Sequence, residues 1–374
     1  MIKKLLQGQA VEWKSLGEVA NYEQPTKYLV KSKEYDDDFK TPVLTAGKTF
    51  ILGYTNETNG IYQASKNPVI IFDDFTTANK WVNFDFKAKS SAMKMITSVD
   101  ENQFLLKYIY YWLNTLPSGL VDSDHKRQWI SNFANKKIPI PPLSVQSHIV
   151  QILDTFTELT AELTAELTAE LSMRQKQYQY YRDLLLSEHE LAKVGFEWKT
   201  LGEVGDILDN LRKPIKASLR LAGSNPYYGA NNIQDYVDGF THDGEYVLIA
   251  EDGSSSLENY SIQWATGKFW ANNHVHVVSA KECLNNRFLF HFLKSMNFIP
   301  YLTGGTRAKL TKAKMIEIPI PIPPLSVQSQ IVQILDTFDS LTNSISDGLP
   351  KEIKLRQKQY EYYREQLLNF TATI

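Results

Sequence analysis

Two carboxylates and a lysine come closest to a catalytic set. Asp73 or Asp74, combined with Asp85 and Lys87 of an Asp-Phe-Lys triplet, would suit a metal-dependent nuclease, in which acids hold Mg²⁺ and the lysine assists a water. The second half of the chain has no equivalent triplet, and solvated strand-end charges are the better explanation of these residues. His274-Val275-His276 puts two imidazoles on one face of a strand, yet the neighbouring sequence offers no third ligand. Ala46-Gly47-Lys48-Thr49 imitates the end of a phosphate-binding loop, but that motif needs a glycine where the chain has Pro42. No Asn-Pro-Pro-aromatic methyltransferase motif and no glycine-rich turn for a dinucleotide or S-adenosylmethionine is present. The residues describe a binding protein, not a catalyst.

What they would bind is suggested by two basic clusters. Lys126, Arg127, Lys136 and Lys137 lie in a stretch without acids, and so do Arg307, Lys309, Lys312 and Lys314. Gln128 and Trp129 follow directly on Arg127, and Gly304-Gly305-Thr306 precedes Arg307. Arg and Lys neutralise phosphates or take guanine edges, Gln and Asn suit adenine, and paired glycines let a loop approach the backbone closely. This combination fits DNA. Further candidates are Lys48, Tyr54, Asn56, Thr76, Thr77 and Lys80 in the first half, and Tyr227, Tyr228, Asn231, Asn232, Ser254, Ser255, Asn272 and Asn273 in the second. Local turn chemistry explains any one of them alone; their parallel placement in two halves favours a shared role.

The halves are copies. Glu12-Trp13-Lys14-Ser15-Leu16-Gly17-Glu18-Val19 returns as Glu197-Trp198-Lys199-Thr200-Leu201-Gly202-Glu203-Val204. Ile138 to Phe156 returns as Ile320 to Phe338, and Arg174 to Arg182 as Arg356 to Arg364, both at an offset of 182. Between them lie two divergent segments, roughly 20–137 and 205–319, that read as mixed α and β. Strand-like runs are 42–45, 68–72 and 92–96 in the first, and 226–228, 246–250 and 275–278 in the second; the helices are 103–113 and 286–295. One fold used twice is the expectation.

The shared segments predict long helices. Pro141-Pro142 and Pro323-Pro324 stop what precedes, Ser144 and Ser326 are placed as N-caps, and Val145, Ile149, Ile152 and Leu153 follow at helical spacing. Thr-Ala-Glu-Leu tetrads continue the first helix to Leu171, with Leu159, Leu163, Leu167 and Leu171 as an apolar stripe matched by Leu341, Ile345, Leu349 and Ile353. Asp347-Gly348-Leu349-Pro350 threatens the second helix. Domain limits follow at 1–143, 144–190 (the spacer helix), 191–325 and 326–374.

With 374 residues, 43% apolar and 12% aromatic, the chain can bury more than one core. The formal charge of −2 is not that of a wholly basic DNA-binding domain, but four glutamates are segregated onto the tetrads, leaving the basic clusters free of acids. Cys283, the single cysteine, excludes a disulfide framework and is expected as a small buried residue. No apolar run approaches the roughly 20 residues of a membrane helix, and no signal-peptide pattern opens the chain, so a cytoplasmic address without membrane contact is expected.

The layout resembles the specificity subunit of type I restriction-modification systems. Ile138-Pro139-Ile140-Pro141-Pro142-Leu143-Ser144-Val145-Gln146 carries the likeness, with the Arg174-Gln175-Lys176-Gln177-Tyr178 block, the tetrads, and Gly244 to Gly253 and Gly267 to His274 in the second half. The tetrads point to the IC subclass. The resemblance implies an α+β fold: two similar mixed α/β target-recognition domains, separated by two long antiparallel coiled-coil-like helices in an internal pseudo-two-fold duplication. It implies double-stranded DNA, two adenine-methyltransferase subunits and restriction subunits as partners. S-adenosylmethionine, ATP and Mg²⁺ would belong to those partners, with no cofactor in this chain. The rival readings are a nuclease using Asp73 and Asp85, and a coiled-coil adaptor without DNA specificity.

Overall fold

The repeated Glu-Trp-Lys segment builds the same opening in each half. In a computed structural model that describes residues 2–47, 49–116, 127–304, 308–343 and 348–370, it forms a strand that passes directly into one helical turn. Glu18 accepts the Ser15 N–H (2.5 Å) and Glu203 the Thr200 N–H (2.7 Å), so a capping box starts each turn. Contacts divide the chain into two units, Met1–Ala165 with Lys354–Ile374, and Glu166–Ile353.

In the first unit the strands are β1 (Glu12–Ser15), β2 (Ala20–Glu23), β3 (Thr41–Leu44), β4 (Ile51–Thr55), β5 (Val69–Asp73), β6 (Asn79–Val82), β7 (Lys87–Ala88), β8 (Met93–Ser98) and β9 (Lys137–Ile140). They form sheets ordered β2-β8-β5-β6 and β4-β3-β7, with β1 paired to β9. Helix α1 (Leu106–Leu113) follows β8, and α2 (Leu143–Leu185) leaves from β9.

The second unit contains β10 (Glu197–Thr200), β11 (Gly205–Ile207), β12 (Ala222–Tyr228), β13 (Ile233–Val237), β14 (His242–Ala250), β15 (Ile262–Ala271), β16 (Val275–Ala280) and β17 (Pro319–Ile322). Its longer helices are α3 (Asn286–Ser295) and α4 (Leu325–Asn343); α5 (Leu349–Leu368) begins here and ends in the first unit. Its sheet order is β11-β16-β14-β15-β12-β13. This is the first unit's order with β15 in place of β6 and β7, antiparallel to β14 as β6 is to β5 and parallel to β12 as β7 is to β3. The expectation of one fold used twice therefore holds strand by strand. Sequence reading missed β15, because Thr266-Gly267-Lys268 interrupts its apolar pattern.

Each core takes the start of one shared helix and the end of the other. Ile149 and Leu153 of α2 are buried with Leu367 and Leu368 in the first unit; Ile331 and Leu335 of α4 are buried with Tyr178 and Leu186 in the second. Ile149 and Ile331, Leu153 and Leu335, and Leu186 and Leu368 are corresponding residues at the offset of 182. The helices run antiparallel inside each unit, and one contact is built twice: Phe156 meets Tyr363, and Tyr181 meets Phe338, both with centroids 5.4 Å apart. A buried glutamine anchors each helix start. Gln146 accepts the Leu105 N–H and donates to the Gln103 and Pro141 carbonyls; Gln328 accepts the Asn285 N–H and donates to Cys283 and Pro323.

Several expectations change. The helices start at Leu143 and Leu325, one residue before the serines placed as caps, because Pro142 and Pro324 accept the first helical N–H groups. The leucine stripe is not a buried seam: Leu159 is 55% exposed, and Leu163, Leu167 and Leu171 are half-buried. Leu159 and Leu163 instead wall a groove of about 180 Å³ with Arg356, Gln359, Tyr360 and Tyr363, while the aromatic rings make the close contacts. Cys283 is exposed, in the turn before α3, where its carbonyl is the part engaged. Helix α4 ends at Asn343 and α5 begins at Leu349; Ile345 and Asp347 lie outside the described residues. Among the described residues no helix is long and apolar enough to cross a membrane.

Candidate nucleic-acid interface

Glycine lets the β14–β15 ribbon bend without losing its ladder. Gly244 pairs with Gly267, at φ +142° and +69°, values that side chains rarely adopt. The bend is required by contacts at both ends of β15: Tyr228 pairs with Ala271, while the Gln263 amide reaches the carbonyls of Gly229 (3.1 Å) and Ala230 (3.2 Å). It gathers loops distant in sequence. Asn231 donates to the Gly253 carbonyl and accepts the Ser255 N–H, both at 2.8 Å. Glu251 donates its N–H to His274 (2.9 Å) and its carbonyl accepts the Leu310 N–H (2.8 Å). Asn231, Asn232, Ser254, Ser255, Asn273 and Lys309, from four stretches of chain, therefore share one loop cluster. Asn231, Asn232, Ser255 and Asn273 are exposed.

An ion network lies beneath it. Glu251 is met by Arg212 (2.8 Å) and Lys309 (2.7 Å), and Asp209 by Arg212 (3.3 Å) and His276 (2.6 Å). His276 Nε2 donates to the Leu310 carbonyl (2.8 Å), and His274 pairs with Asp252 (2.5 Å). Burial works to raise both Asp209 and Glu251. Burial is the largest single cause, but the opposing causes together exceed it, the His276 bond and charge with the Val277 N–H and Arg212 for Asp209, and Lys309, Arg212 and His276 for Glu251, holding both carboxyls below the usual range. Folding brings to His276 the acids its sequence neighbourhood lacked, with ligand atoms within 4.8 Å of one another. A guanidinium and an ammonium already sit on those carboxylates, so the set suits an ion-pair network better than a metal.

In the first unit the corresponding place is the turn after β5. Asp73 accepts the N–H groups of Phe75 (2.9 Å) and Thr76 (3.2 Å). Asp74 accepts the Gln128 N–H on its carbonyl and the Trp129 N–H on its carboxylate, both at 2.8 Å. Thr76, Thr77, Arg127 and Gln128 are thereby brought together; Thr76, Arg127 and the neighbouring Lys80 are exposed. Tyr54 and Asn56 belong elsewhere, at the end of β4, where Tyr54 accepts the Asp36 N–H. Lys48, Lys126 and Arg307 lie outside the described residues.

Comparison with known proteins matches these units to one family. The type I restriction modification DNA specificity domain matches twice, over residues 10–173 and 193–355. The chain belongs to that family. The Escherichia coli type I restriction enzyme EcoR124I/EcoR124II specificity subunit is 51% identical to it, over 99% of this chain and 96% of that protein. Among solved structures, a chain from work on assembly and conformational transition of the type I restriction-modification system gives a TM-score of 0.62 at 16% identity, covering 97% of this chain and 98% of that one. The type I S subunit from M. genitalium gives 0.57 at 17%, covering 96% of each. Both show the shared fold. This chain is thus a type I specificity subunit, a DNA-recognition component that does not itself catalyse.

Within this specificity subunit, burial corrects part of the contact set. Trp129 is 1% exposed and packs edge-on against Phe72, so it is a core residue. Tyr227 is 1% exposed, accepts the Ile215 N–H and lies under Arg220; Tyr228 is half-buried against Phe269. Thr77, Gln128 and Asn272 are also buried, and the Asn272 side chain holds the His274 N–H. Lys309 keeps access but is committed to Glu251, whereas Lys312 is exposed on a short helix. The nuclease set does not assemble. Bonds from the Ser65 hydroxyl (2.6 Å) and N–H (3.0 Å) hold Asp85 below the usual carboxylate range, and Lys87 is buried against Glu57 (3.0 Å). Sequence reading missed Arg212 and Lys94, which no motif marks, and gave Glu251 no role although it lies in the Gly244 to Gly253 stretch.

Proposed function

We propose that each recognition domain reads one half of a bipartite, asymmetric DNA site through its loop cluster. In the second domain the contacts would come from Asn231, Asn232, Ser254, Ser255, Asn273, Lys309 and Lys312, and in the first from Thr76, Lys80 and Arg127; Arg307, Lys48 and Lys126, outside the described residues, would add to them on sequence grounds. The carrying observation is the convergence of amide and hydroxyl side chains from three separate stretches, with Lys309 from a fourth, onto one largely exposed loop cluster. Asn and Ser serve base edges and phosphates alike, and Arg takes guanine. Arg127→Ala should weaken binding to the specific site by about 1–3 kcal/mol if the guanidinium takes a base. Titrating the assembled complex with cognate and scrambled duplexes checks this: equal loss on both assigns Arg127 to phosphate.

The shared helices would act as a coiled-coil-like spacer relating the two domains by a pseudo-two-fold axis, as in the IC subclass. The duplicated segments would recruit two adenine-methyltransferase subunits and, through them, restriction subunits, all cytoplasmic. S-adenosylmethionine, ATP and Mg²⁺ would be held by those partners. One tetrad adds about 6 Å and a residual rotation near 40° along a helix, and one base pair adds about 3.4 Å and roughly 35°. Deleting Thr164 to Leu167 should shorten the unread gap, by one base pair on the rotational match, and leave both half-sites intact. Genome-wide mapping of methylated adenines tests it; an unchanged gap refutes the spacer role.

A further inference from the structure

Among the described residues of the first domain, the most deeply buried charges lie under its loop cluster. Lys94 and Asp74 are 0% and 1% exposed at their side chains, with Nζ and Oδ2 3.4 Å apart, and neither of these atoms makes a hydrogen bond among the described residues. The second domain repeats the arrangement with other residues. Lys94 pairs with Phe72 across the β5–β8 ladder and His276 with Ile249 across β14–β16; Asp74 and Glu251 each stand two residues beyond those partners. Each acid donates its N–H to the chain just before the strand that carries Lys94 or His276, Asp74 to Ala92 (3.1 Å) and Glu251 to His274 (2.9 Å). Each then accepts, at 2.8 Å on its carbonyl, an N–H from the basic segment, Gln128 in one domain and Leu310 in the other.

A buried ion pair is weak evidence for stability, because desolvation consumes most of the attraction. What recurs at one position of the sheet, in segments that otherwise diverge, is an acid near a basic side chain: Lys94 lies 3.4 Å from Asp74 and His276 3.9 Å from Glu251, where Arg212 and Lys309 bind the acid more closely and His276 bonds Asp209; that recurrence needs another explanation. We propose that Asp74 and Glu251, each clamped by basic side chains, are positioning residues. They set the height above the sheet of the segments carrying Arg127 and Lys309, and thereby the fidelity with which each domain reads its half-site. The proposal rests on the half-site reading above and adds the residues that make that reading strict.

The test uses the chain co-expressed with its methyltransferase partner, with methylated adenines mapped genome-wide and thermal unfolding measured on the purified complex. The double variant Asp74→Asn with Lys94→Met removes both charges together and avoids stranding one. It is expected to fold and to methylate sites mismatched in the first half-site about 10-fold more often than the parent, with the second half-site unchanged. Glu251→Gln should relax the second half-site alone. This half-buried position keeps the test decisive if the fully buried pair tolerates no replacement. Folded variants with unaltered fidelity overturn the proposal, as does relaxation of both half-sites by one variant, which would mean general loosening. A parent that methylates no bipartite site removes the underlying reading instead.

Discussion

Helices α1 and α3 present different side chains to the same acid of the shared helix. In the first domain the Tyr111 hydroxyl donates to Asp154, with Lys107 at 3.3 Å. In the second, His291 (2.7 Å) and Arg287 (2.6 Å) converge on Asp336, the counterpart of Asp154, and Arg287 also reaches Asp339 (2.8 Å). The constant helix thus fixes an acceptor, and each divergent domain supplies its own donor. Geometry is retained while chemistry varies, and the chemistry decides how each joint responds to acid.

The strongest test of equivalence is the buried glutamine. Gln146→Ala and Gln328→Ala each leave one N–H and two carbonyls without their partner, so each should cost about 3 kcal/mol or more. Denaturant unfolding measures both; a clearly unequal cost would break the correspondence between the domains.

Acid should separate them next. Burial is the main cause lowering His291, to about 4, against the opposing Asp336 bond. The unfolded chain takes up that proton near pH 6.5, so the contribution is fully present above 6.5 and is lost as pH falls towards 4. Burial pushes the Tyr111 hydroxyl up, so the first joint has no corresponding loss in acid. Thermal unfolding between pH 7 and 4.5 should show about 2 kcal/mol more destabilisation for the parent than for His291→Tyr; parallel curves would acquit His291. The smallest effect is expected at the repeated ring contact, where Phe156→Ala and Phe338→Ala should each lose roughly 1 kcal/mol beyond area burial. A loss confined to one would show that the two helix pairs are not equivalent.

Much of the fold was legible before any coordinates. The offset of 182 between near-identical segments announced two copies, and short apolar runs located β3, β5, β8 and their counterparts. The candidate interface was legible only in part. Asn231, Ser255 and Asn273 lie exposed in turns, where composition is a fair guide. Trp129 stands beside basic residues in sequence, and only packing against Phe72 turns it inward. Lys94 gave no signal at all, because a lysine among methionines in a strand reads as the solvated face until the second layer covers it.

By itself, then, the amino-acid order determined the duplication, the long helix of tetrads and the placement of divergence in the globular parts. These depend on local repetition and helical periodicity, which need no tertiary partner to be read. The tertiary structure decided that each core joins the start of one shared helix to the end of the other, that the leucine stripe walls a groove, and that Asp74 and Glu251 lie beneath the loops. Those facts depend on residues far apart in the chain, and no local pattern encodes which distant side chain will cover a given face.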